Sequence, residues 1–230
     1  MSEKQDIFTM LGGRVRFYRG TYNPTSDAAW LAAVAADVRA KTVLDIGVGT
    51  GGAILCLLAN NQNIKKAVGI DTSDKMLNAC AQNAELNNRD IELINADILT
   101  WRTAQTFDLV ITNPPYFHGT PAKHNAHHNA DIVQWTKKSV ARVKPRGTFC
   151  TIVDAGAAHD VIFALSPVCG DITIFPLFSK KSTAERVIIS ARLGTQGPCR
   201  IYAGLSMNCD LVLRDGLTIS STLATLDTQC

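Results

Sequence analysis

Four consecutive residues, Asn113-Pro114-Pro115-Tyr116, combine side chains suited to a planar amino group. The amino nitrogen of adenine, cytosine or a carboxamide is a poor nucleophile because its lone pair is delocalised, so a catalyst must offer acceptors for both N–H groups. Asn113 offers a side-chain oxygen, and Pro114 offers a carbonyl whose direction the fixed φ of proline helps to hold. Tyr116 offers a face for stacking a flipped base, which contributes about 1–3 kcal/mol. We take all four as candidate catalytic residues, although Asn and Pro also form ordinary strand-ending turns.

A glycine-rich stretch, Leu44–Gly52, has the pattern of a buried strand that turns into a helix at a ligand site. Its spacing satisfies G-x-G-x-x-G, so by itself it does not separate a dinucleotide site from an S-adenosylmethionine site. Asp71 follows the next strand, where a carboxylate can accept hydrogen bonds from ribose hydroxyls. Asp97 follows the third strand and is a candidate acceptor for the adenine amine or, equally, a helix cap. The candidate binding residues here are Asp45, Gly47, Gly49, Gly51, Asp71 and Asp97.

The glycine loop, followed along the chain by residues 113–116, distinguishes between the two possible cofactors. An NAD-dependent oxidoreductase would explain the glycines and Asp71 but would leave residues 113–116 without a role. A methyl donor held in the glycine loop, next to acceptors for an amine, allows an in-line transfer governed by positioning. The sequence therefore predicts an N-methyltransferase with S-adenosylmethionine as cofactor, in which Asn113 also borders the cofactor.

From Thr42 onward, short apolar runs alternate with helical stretches, which predicts parallel strands with helices on both faces. Residues 7–19 predict a hairpin, and a helix follows from Ser26. The strands over 172–176 and 186–192 have no clear helix between them, which predicts an antiparallel pair at one edge. We also predict helices over 132–143 and 157–165 and a strand over 148–153. The fold class is thus Rossmann-like α/β, divided into an N-terminal hairpin extension (1–25), a methyltransferase domain (26–194) and a tail packed on it (195–230).

Composition sets limits on partners and compartment. The 230 residues are 46% hydrophobic, enough for one sizeable core, and the net charge of +3 permits a polyanionic substrate without requiring one. The seven cysteines are scattered without a C-x-x-C pair, which favours reduced thiols. An apolar run of membrane-spanning length is absent from the sequence. We therefore predict a cytoplasmic monomer that does not bind a membrane.

With these motifs in place, the chain resembles the class I S-adenosylmethionine-dependent methyltransferases with an N-P-P-Y motif. More closely, it resembles the bacterial tRNA adenine N6-methyltransferases that modify the adenosine next to the anticodon, position 37, of a valine tRNA. The matching pieces are Leu11–Val15, Tyr22–Leu31, Asp45–Gly51, Phe107–Phe117 and Arg186–Arg192.

The resemblance implies a seven-stranded sheet, a cofactor held at Gly47, Gly49 and Asp71, and a target adenine held by Asn113, Pro114 and Tyr116. It also implies that Asp27, at the start of the first helix, lies close to the cofactor. Two regions depart from the family pattern. Residues 144–147, Lys-Pro-Arg-Gly, replace the usual Pro-Gly-Gly turn, and the tail after Gly194 matches only faintly.

Several other features have less specific interpretations. The residues His124, His127 and His128 have an H-x-x-H spacing but lack a Cys or acidic partner at ligand spacing, so we predict no metal and a role as a substrate lid. Trp30 and Trp135 lie at helical spacing and are interpreted as core residues without a function. Basic residues that could together contact RNA phosphates are Arg14, Arg16, Arg19, Lys123, Lys137, Lys138, Arg142, Lys180 and Lys181.

Three alternative functions compete with RNA adenine methylation. N-P-P-Y also suits a glutamine amide in a protein, but the enzymes of that kind usually carry a helical domain in front, and only about forty residues precede Asp45. Methylation of a DNA amine would be expected to need a separate target-recognition domain. A non-catalytic RNA-binding module would not need intact Gly47, Gly49, Asp71 and Asn113.

Overall fold

A computed structural model describes residues 6–20, 22–115, 125–180 and 182–228, with the backbone only for 125–131. Within these ranges the chain forms a mixed α/β fold with helices on both faces of a mostly parallel sheet. The strands are β1 (Ile7–Met10), β2 (Val15–Tyr18), β3 (Thr42–Ile46), β4 (Lys66–Asp71), β5 (Glu92–Asn95), β6 (Phe107–Thr112), β7 (Val143–Asp154), β8 (Cys169–Phe178), β9 (Ala184–Leu193), β10 (Arg200–Ile201) and β11 (Leu205–Ser206). The helices are α1 (Ser26–Ala35), α2 (Gly52–Asn60), α3 (Asp74–Leu86), α4 (Asn125–Val140), α5 (Ala158–Leu165), α6 (Asp210–Leu213) and α7 (Ile219–Asp227). The predicted fold class is confirmed.

The main sheet has its longer strands in the order β8-β9-β7-β6-β3-β4-β5, and the short strands β10 and β11 both pair with β8. Strand β9 runs antiparallel to both β7 and β8, which confirms the predicted antiparallel edge. The central strands β6, β3, β4 and β5 are parallel, with Ile46 paired to Thr112 and to Ile70, and Asp71 paired to Asn95. The residues that follow these strands therefore meet at the carboxyl edge of the sheet, where ligands of open α/β sheets bind.

Both faces of the sheet are buried, which explains the nearly continuous apolar runs in the parallel strands. Val43 and Leu44, adjacent on β3, belong to two different hydrophobic clusters, one on each face. Four described cysteines also lie in the interior, and burial raises the pKa of Cys169 to about 11 and that of the other three, Cys56, Cys80 and Cys150, to about 12. These thiols are therefore neutral core groups.

The N-terminal hairpin of β1 and β2 packs against α2 and α3, and its side chains Val15 and Phe17 are 1% and 0% exposed. Two of the arginines that were predicted to be able to contact RNA phosphates are held by the protein itself. The guanidinium of Arg14 donates to the carbonyl of Gly216 at 2.6 Å, and that of Arg16 donates to the carbonyl of Leu86 at 2.6 Å. Both side chains therefore anchor the hairpin to other segments of the chain.

The tail after Gly194 packs against α1. The indole Nε1–H of Trp30 donates to the carbonyl of Met207 at 3.1 Å, and Val212 and Ile219 join the cluster on that face of the sheet. The division of the chain into three parts stays a prediction. In the described part of the chain, every helix is too short or too polar to cross a bilayer.

Strand β7 begins earlier than its sequence pattern predicted. We expected a helix through Val143, but α4 ends at Val140 and Val143 pairs with Phe107 on β6. The register then shifts, so that Leu109 pairs with Thr148, and Arg146 adopts a left-handed φ of 64° within the extra residues. The unusual 144–147 segment is therefore a bulge inside a long strand, which a helical periodicity count does not detect.

Asp108 ties three segments together at the amino end of the sheet. Its carboxylate accepts from the backbone N–H groups of Lys41 and Thr42 at 3.0 and 2.9 Å, and from Lys144 Nζ at 2.8 Å. Burial raises the pKa of Asp108, but these bonds outweigh burial and lower the pKa to about 2. The ionised carboxylate thus stabilises the bulge.

We expect Asp108→Asn to lower the free energy of unfolding by about 1–2 kcal/mol at neutral pH, after allowing for screening of the partly exposed Lys144. Because the folded pKa is depressed, this stabilisation is complete above the ordinary carboxyl pKa and is lost as the pH falls towards about 2. Denaturant titrations from about pH 7 to pH 3 should show the difference between the two proteins shrinking. A difference that stays constant would contradict this role of the ionised carboxylate.

Candidate active site

The glycine loop leaves β3 with a backbone that residues with a side chain rarely adopt. Gly47 and Gly49 have left-handed φ values of 73° and 54°. The N–H groups of Gly47 and Val48 both donate to the carbonyl of Ile70 at 2.9 Å, which ties the loop to the end of β4. The loop is therefore fixed at the carboxyl edge, as its sequence predicted.

Asp71 is held so that both of its oxygens are oriented. Oδ2 accepts from the N–H of Gly49 at 3.0 Å, and Oδ1 accepts from the N–H of Ser73 at 3.0 Å. A carboxylate has about four lone-pair positions, so each oxygen keeps capacity for a further donor. Asp71 can thus accept from two neighbouring hydroxyl groups without a rearrangement.

Two pockets open at the carboxyl edge and share Gly47, Asn113 and Pro115 as a common border. The first, of about 310 Å³, also contains Asp45 and is named here the methionine lobe. The second, of about 330 Å³, also contains Asp71 and is named the adenosine lobe. Each is at the lower end of the range of about 300–1,000 Å³ typical of small-molecule sites. Together the lobes suit an elongated ligand that passes beside Asn113.

Asn113 lies directly after β6, at the border of the two lobes. Its Oδ1 is buried and accepts no hydrogen bond from the described residues. Leaving a buried acceptor unsatisfied costs about 1–3 kcal/mol, so native proteins seldom retain one without a reason. Pro114, which is buried, and Pro115, which is exposed, continue the wall of the methionine lobe. This acceptor is therefore available to a donor that enters the site.

Asp45, at the end of β3, is a second buried acceptor. It is 2% exposed, and its Oδ2 has no hydrogen-bond partner among the described residues. Burial raises the pKa of Asp45 to about 7, the backbone N–H of Ile54 opposes this rise, and the neighbouring charge of Asp71 adds to it. A cation in the methionine lobe would satisfy this carboxylate and favour its ionised form.

Trp135 on α4 forms a wall of the adenosine lobe, a role that its helical spacing did not predict. Its Nε1–H donates to Thr112 Oγ1 at 3.1 Å, and that hydroxyl donates to the carbonyl of Ile46 at 2.8 Å. A methyl group added at Gly47 would lie 3.6 Å from the indole ring, so the ring borders the glycine loop. Trp135 therefore connects α4 to the ends of the two strands that carry Gly47 and Asn113.

We expect Trp135→Phe to weaken S-adenosylmethionine binding by about 3- to 10-fold and to lower stability by about 1 kcal/mol, because one buried hydrogen bond is lost while most of the ring remains. Isothermal titration and denaturant unfolding measure the two effects. Thr112→Val removes the same bond from the other side, together with the bond from Thr112 to Ile46, so the double variant should lose little beyond Thr112→Val alone. Fully additive losses would contradict the coupling.

The remaining predicted site residues lie in different places. Asp97 lines the adenosine lobe, while its Oδ1 also accepts from the N–H of Leu99 at 2.9 Å. Asp27 lies outside both lobes, buried at the start of α1, where it accepts from Arg186 Nε at 3.2 Å. Gly51 also lies outside them and caps α2 with a φ of 89°, where an added methyl group would lie 2.9 Å from Cys80 Sγ.

Some predictions fall on residues that the structure does not describe. Tyr116 and His124 lie outside the described residues, as do the side chains of His127 and His128. The described side chains contain no cluster of three or more His, Cys, Asp or Glu residues that could hold a metal ion. The roles assigned to Tyr116 and to the histidine segment stay predictions, as does the expectation that no metal is bound.

The sequence also matches a known protein family. Residues 25–164 match the family model described as the methyltransferase small domain, which is more than half of the chain. The chain belongs to this family. By family and by fold it is an S-adenosylmethionine-dependent methyltransferase domain of class I.

Relatives of this methyltransferase domain act on different substrates. It is 30% identical over 146 residues to a tRNA1(Val) (adenine(37)-N6)-methyltransferase from Glaesserella parasuis, covering 60% of this chain and 61% of that protein. It is 42% identical over 82 residues to a release factor glutamine methyltransferase from Flavobacterium psychrophilum, covering 35% of this chain and 28% of that protein. The domain thus spans less than two thirds of the length of these relatives.

The fold of the methyltransferase domain is also that of a solved enzyme. The N-methyltransferase NodS from Bradyrhizobium japonicum, in complex with S-adenosyl-L-homocysteine, matches with a TM-score of 0.56 and 16% identity. The match covers 72% of this chain and 84% of NodS. At this level of identity the match concerns the fold alone.

Proposed function

We propose that this methyltransferase domain transfers a methyl group from S-adenosylmethionine to the N6 amino group of an adenosine in tRNA, at position 37 next to the anticodon. The observation that carries the proposal is the buried Oδ1 of Asn113, which accepts no hydrogen bond from the described residues at the border of the two lobes. An acceptor without a donor is the group that a planar amine requires. A catalyst for hydroxyl or carbon methylation would instead be expected to place a base there.

The cofactor fits the residues that form the lobes. Asp71 offers oriented oxygens for the ribose hydroxyls, and Asp97 lines the same lobe as a candidate acceptor for the adenine amine. Asp45 has a buried oxygen without a partner among the described residues, which the cofactor's ammonium group would satisfy. The bound cofactor supplies an electrophilic methyl group on a sulfonium. Gly47 allows the backbone of the loop to approach this ligand closely.

The protein's own part in the transfer is to bind and orient the amine. Asn113 Oδ1 accepts one N–H of the target amine, and the carbonyl of Pro114 accepts the other. Two acceptors placed in this way favour a more pyramidal nitrogen, whose lone pair is then free to attack. After the methyl transfer, the nitrogen carries one proton in excess, and this proton passes to water. Tyr116 completes the proposal as the platform on which the target base stacks.

The relatives support tRNA over a protein as substrate. The match to the tRNA adenine enzyme covers 60% of this chain, whereas the match to the release factor enzyme covers 35%. The second candidate is transfer to a glutamine amide, which the 42% identity over that shorter stretch favours. An amide and an adenine amine require the same pair of acceptors, so both candidates use Asn113.

A competition experiment tests the proposal. The protein is incubated with labelled S-adenosylmethionine and an equimolar mixture of unmodified tRNA and a bacterial release factor, and RNA and protein are then separated. We expect the label in the RNA fraction. Label in the protein fraction would replace the proposed substrate with the glutamine amide.

A further inference from the structure

A groove continues the adenosine lobe along α4. One wall passes directly from Asp97, which lines the lobe, to Leu99, which lines the groove. The other wall is α4, where Trp135 lines the lobe and Lys138 lines the groove, followed by the turn after α4, where Arg142 lines the groove. Helix positions three apart lie on one face, so Trp135 and Lys138 follow each other along the same side of α4. The groove, of about 750 Å³, is therefore an extension of the site between the same two segments.

The groove carries positive charge from both walls. Arg102 extends from the loop after β5, opposite Lys138 and Arg142, and a carboxylate is absent from its described lining. Arg102 and Lys138 are exposed and form no ion pair with a described carboxylate. Lys144, by contrast, is paired with Asp108. The uncompensated charge of this groove suits an anionic partner.

Apolar surface lies between these cations. Trp101 lines the groove as a half-buried side chain, and its backbone N–H donates to the carbonyl of Asp97 at 2.7 Å. Leu99 is 38% exposed beside it. Arg142 donates to the carbonyl of Thr103 at 2.5 Å and so holds the loop in place. Cations that alternate with an aromatic face match a nucleic acid, whose phosphates alternate with planar bases and sugars.

We propose that this groove binds the sugar-phosphate backbone of the RNA whose adenosine reaches Asn113. This inference rests on the proposed function. Arg102 and Lys138 contact phosphates from opposite walls, and Trp101 contacts a base or ribose between them. The RNA strand thus leaves the carboxyl edge past Asp97 and runs along α4, which places the groove and the methyl-transfer site on one continuous surface.

Charge reversal tests this surface directly. The variants are Arg102→Glu, Lys138→Glu and the double variant, while Arg142 is left unchanged because it holds the loop. Exposed cations on other parts of the surface provide matched controls, Lys65→Glu and Arg200→Glu. Binding of fluorescent unmodified tRNA is measured by anisotropy over a series of salt concentrations. Thermal unfolding and S-adenosylmethionine titration verify that each variant is folded and holds its cofactor.

We expect the double variant to bind tRNA at least about 10-fold more weakly and its salt dependence to be less steep by about two units, since each lost phosphate contact removes about 0.9. The controls should remain within about twofold of wild type, and the affinity for S-adenosylmethionine should be unchanged in all variants.

The outcomes separate the groove from the proposed function. If the double variant bound tRNA with wild-type affinity and salt dependence, the groove would not be the RNA-binding site. Methylation of tRNA by the unaltered protein would still support the proposed function. Loss of methylation of a protein substrate, with tRNA binding intact, would overturn the groove as an RNA site and assign it to an acidic protein. Groove-dependent tRNA binding by a protein that methylates no adenosine would support the groove and refute the function.

Discussion

Replacing Asn113 with alanine is expected to lower kcat for methylation by about 10²- to 10³-fold, with cofactor affinity within about threefold of wild type. The buried Oδ1 accepts no hydrogen bond from the described residues, so its removal leaves no internal donor unpaired there. The loss therefore falls on the transfer step, where the amine requires an acceptor. Single-turnover kinetics with saturating cofactor measure this step, and isothermal titration measures cofactor affinity.

Two further variants make the Asn113 result specific. Asn95→Ala makes the same substitution at the end of the parallel strand β5, where the side chain donates to Asp74 and lies outside both lobes. It should retain activity within about twofold. Asn113→Asp keeps an acceptor oxygen and should lose less activity than Asn113→Ala. If Asn113→Ala and Asn95→Ala reduced the rate equally, Asn113 would not be the acceptor of the amine.

Replacing Asp45 with asparagine is expected to stabilise the cofactor-free domain while it weakens cofactor binding. Burial raises the pKa of Asp45 to about 7, so the wild-type domain loses stability as the pH rises from the ordinary carboxyl pKa to about 7. The asparagine variant does not incur this cost. We therefore expect its stability advantage to grow by about 2 kcal/mol between about pH 5 and pH 8 in denaturant titrations.

The same variant should bind S-adenosylmethionine about 10- to 100-fold more weakly at about pH 8, because a buried charge-assisted hydrogen bond to the ammonium group is lost. Wild-type affinity should rise with pH up to about 7, as Asp45 ionises on binding, and the variant should lack this rise. Isothermal titration at several pH values and in buffers of different ionisation enthalpy detects the proton release. Equal pH profiles for the two proteins would place the ammonium group away from Asp45.

The sequence was most informative about the site residues that lie at the carboxyl ends of the parallel strands. Parallel strands bring their carboxyl ends to one edge, so Asp45, Asp71 and Asn113 were predicted to meet from local patterns alone, and the structure brings them to adjoining lobes. The bounds of β7 were wrong because its first pair, Val143 with Phe107, precedes a bulge. A bulge depends on the partner strand, and a periodicity count along one segment does not contain that information.

The positions of two other residues depend on contacts with distant parts of the chain, which local sequence patterns do not reveal. Asp27 bonds to Arg186, 159 positions away, and local pattern gives no sign of that pairing. Trp135 has the spacing of a core residue, and the position of its ring against Gly47 depends on how α4 packs on the sheet. Its polar Nε1–H was the available signal, because a buried indole usually needs an acceptor.

The most direct test of the central claim is the identity and position of the methylated nucleoside. Unmodified valine tRNA is incubated with the protein and labelled S-adenosylmethionine, and the RNA is digested to nucleosides and to sequenced fragments. We predict label in N6-methyladenosine within the fragment that contains position 37, present with wild type and absent with Asn113→Ala. Label in another nucleoside, or equal label with Asn113→Ala, would contradict the proposal that Asn113 directs methyl transfer to an adenine amine in tRNA.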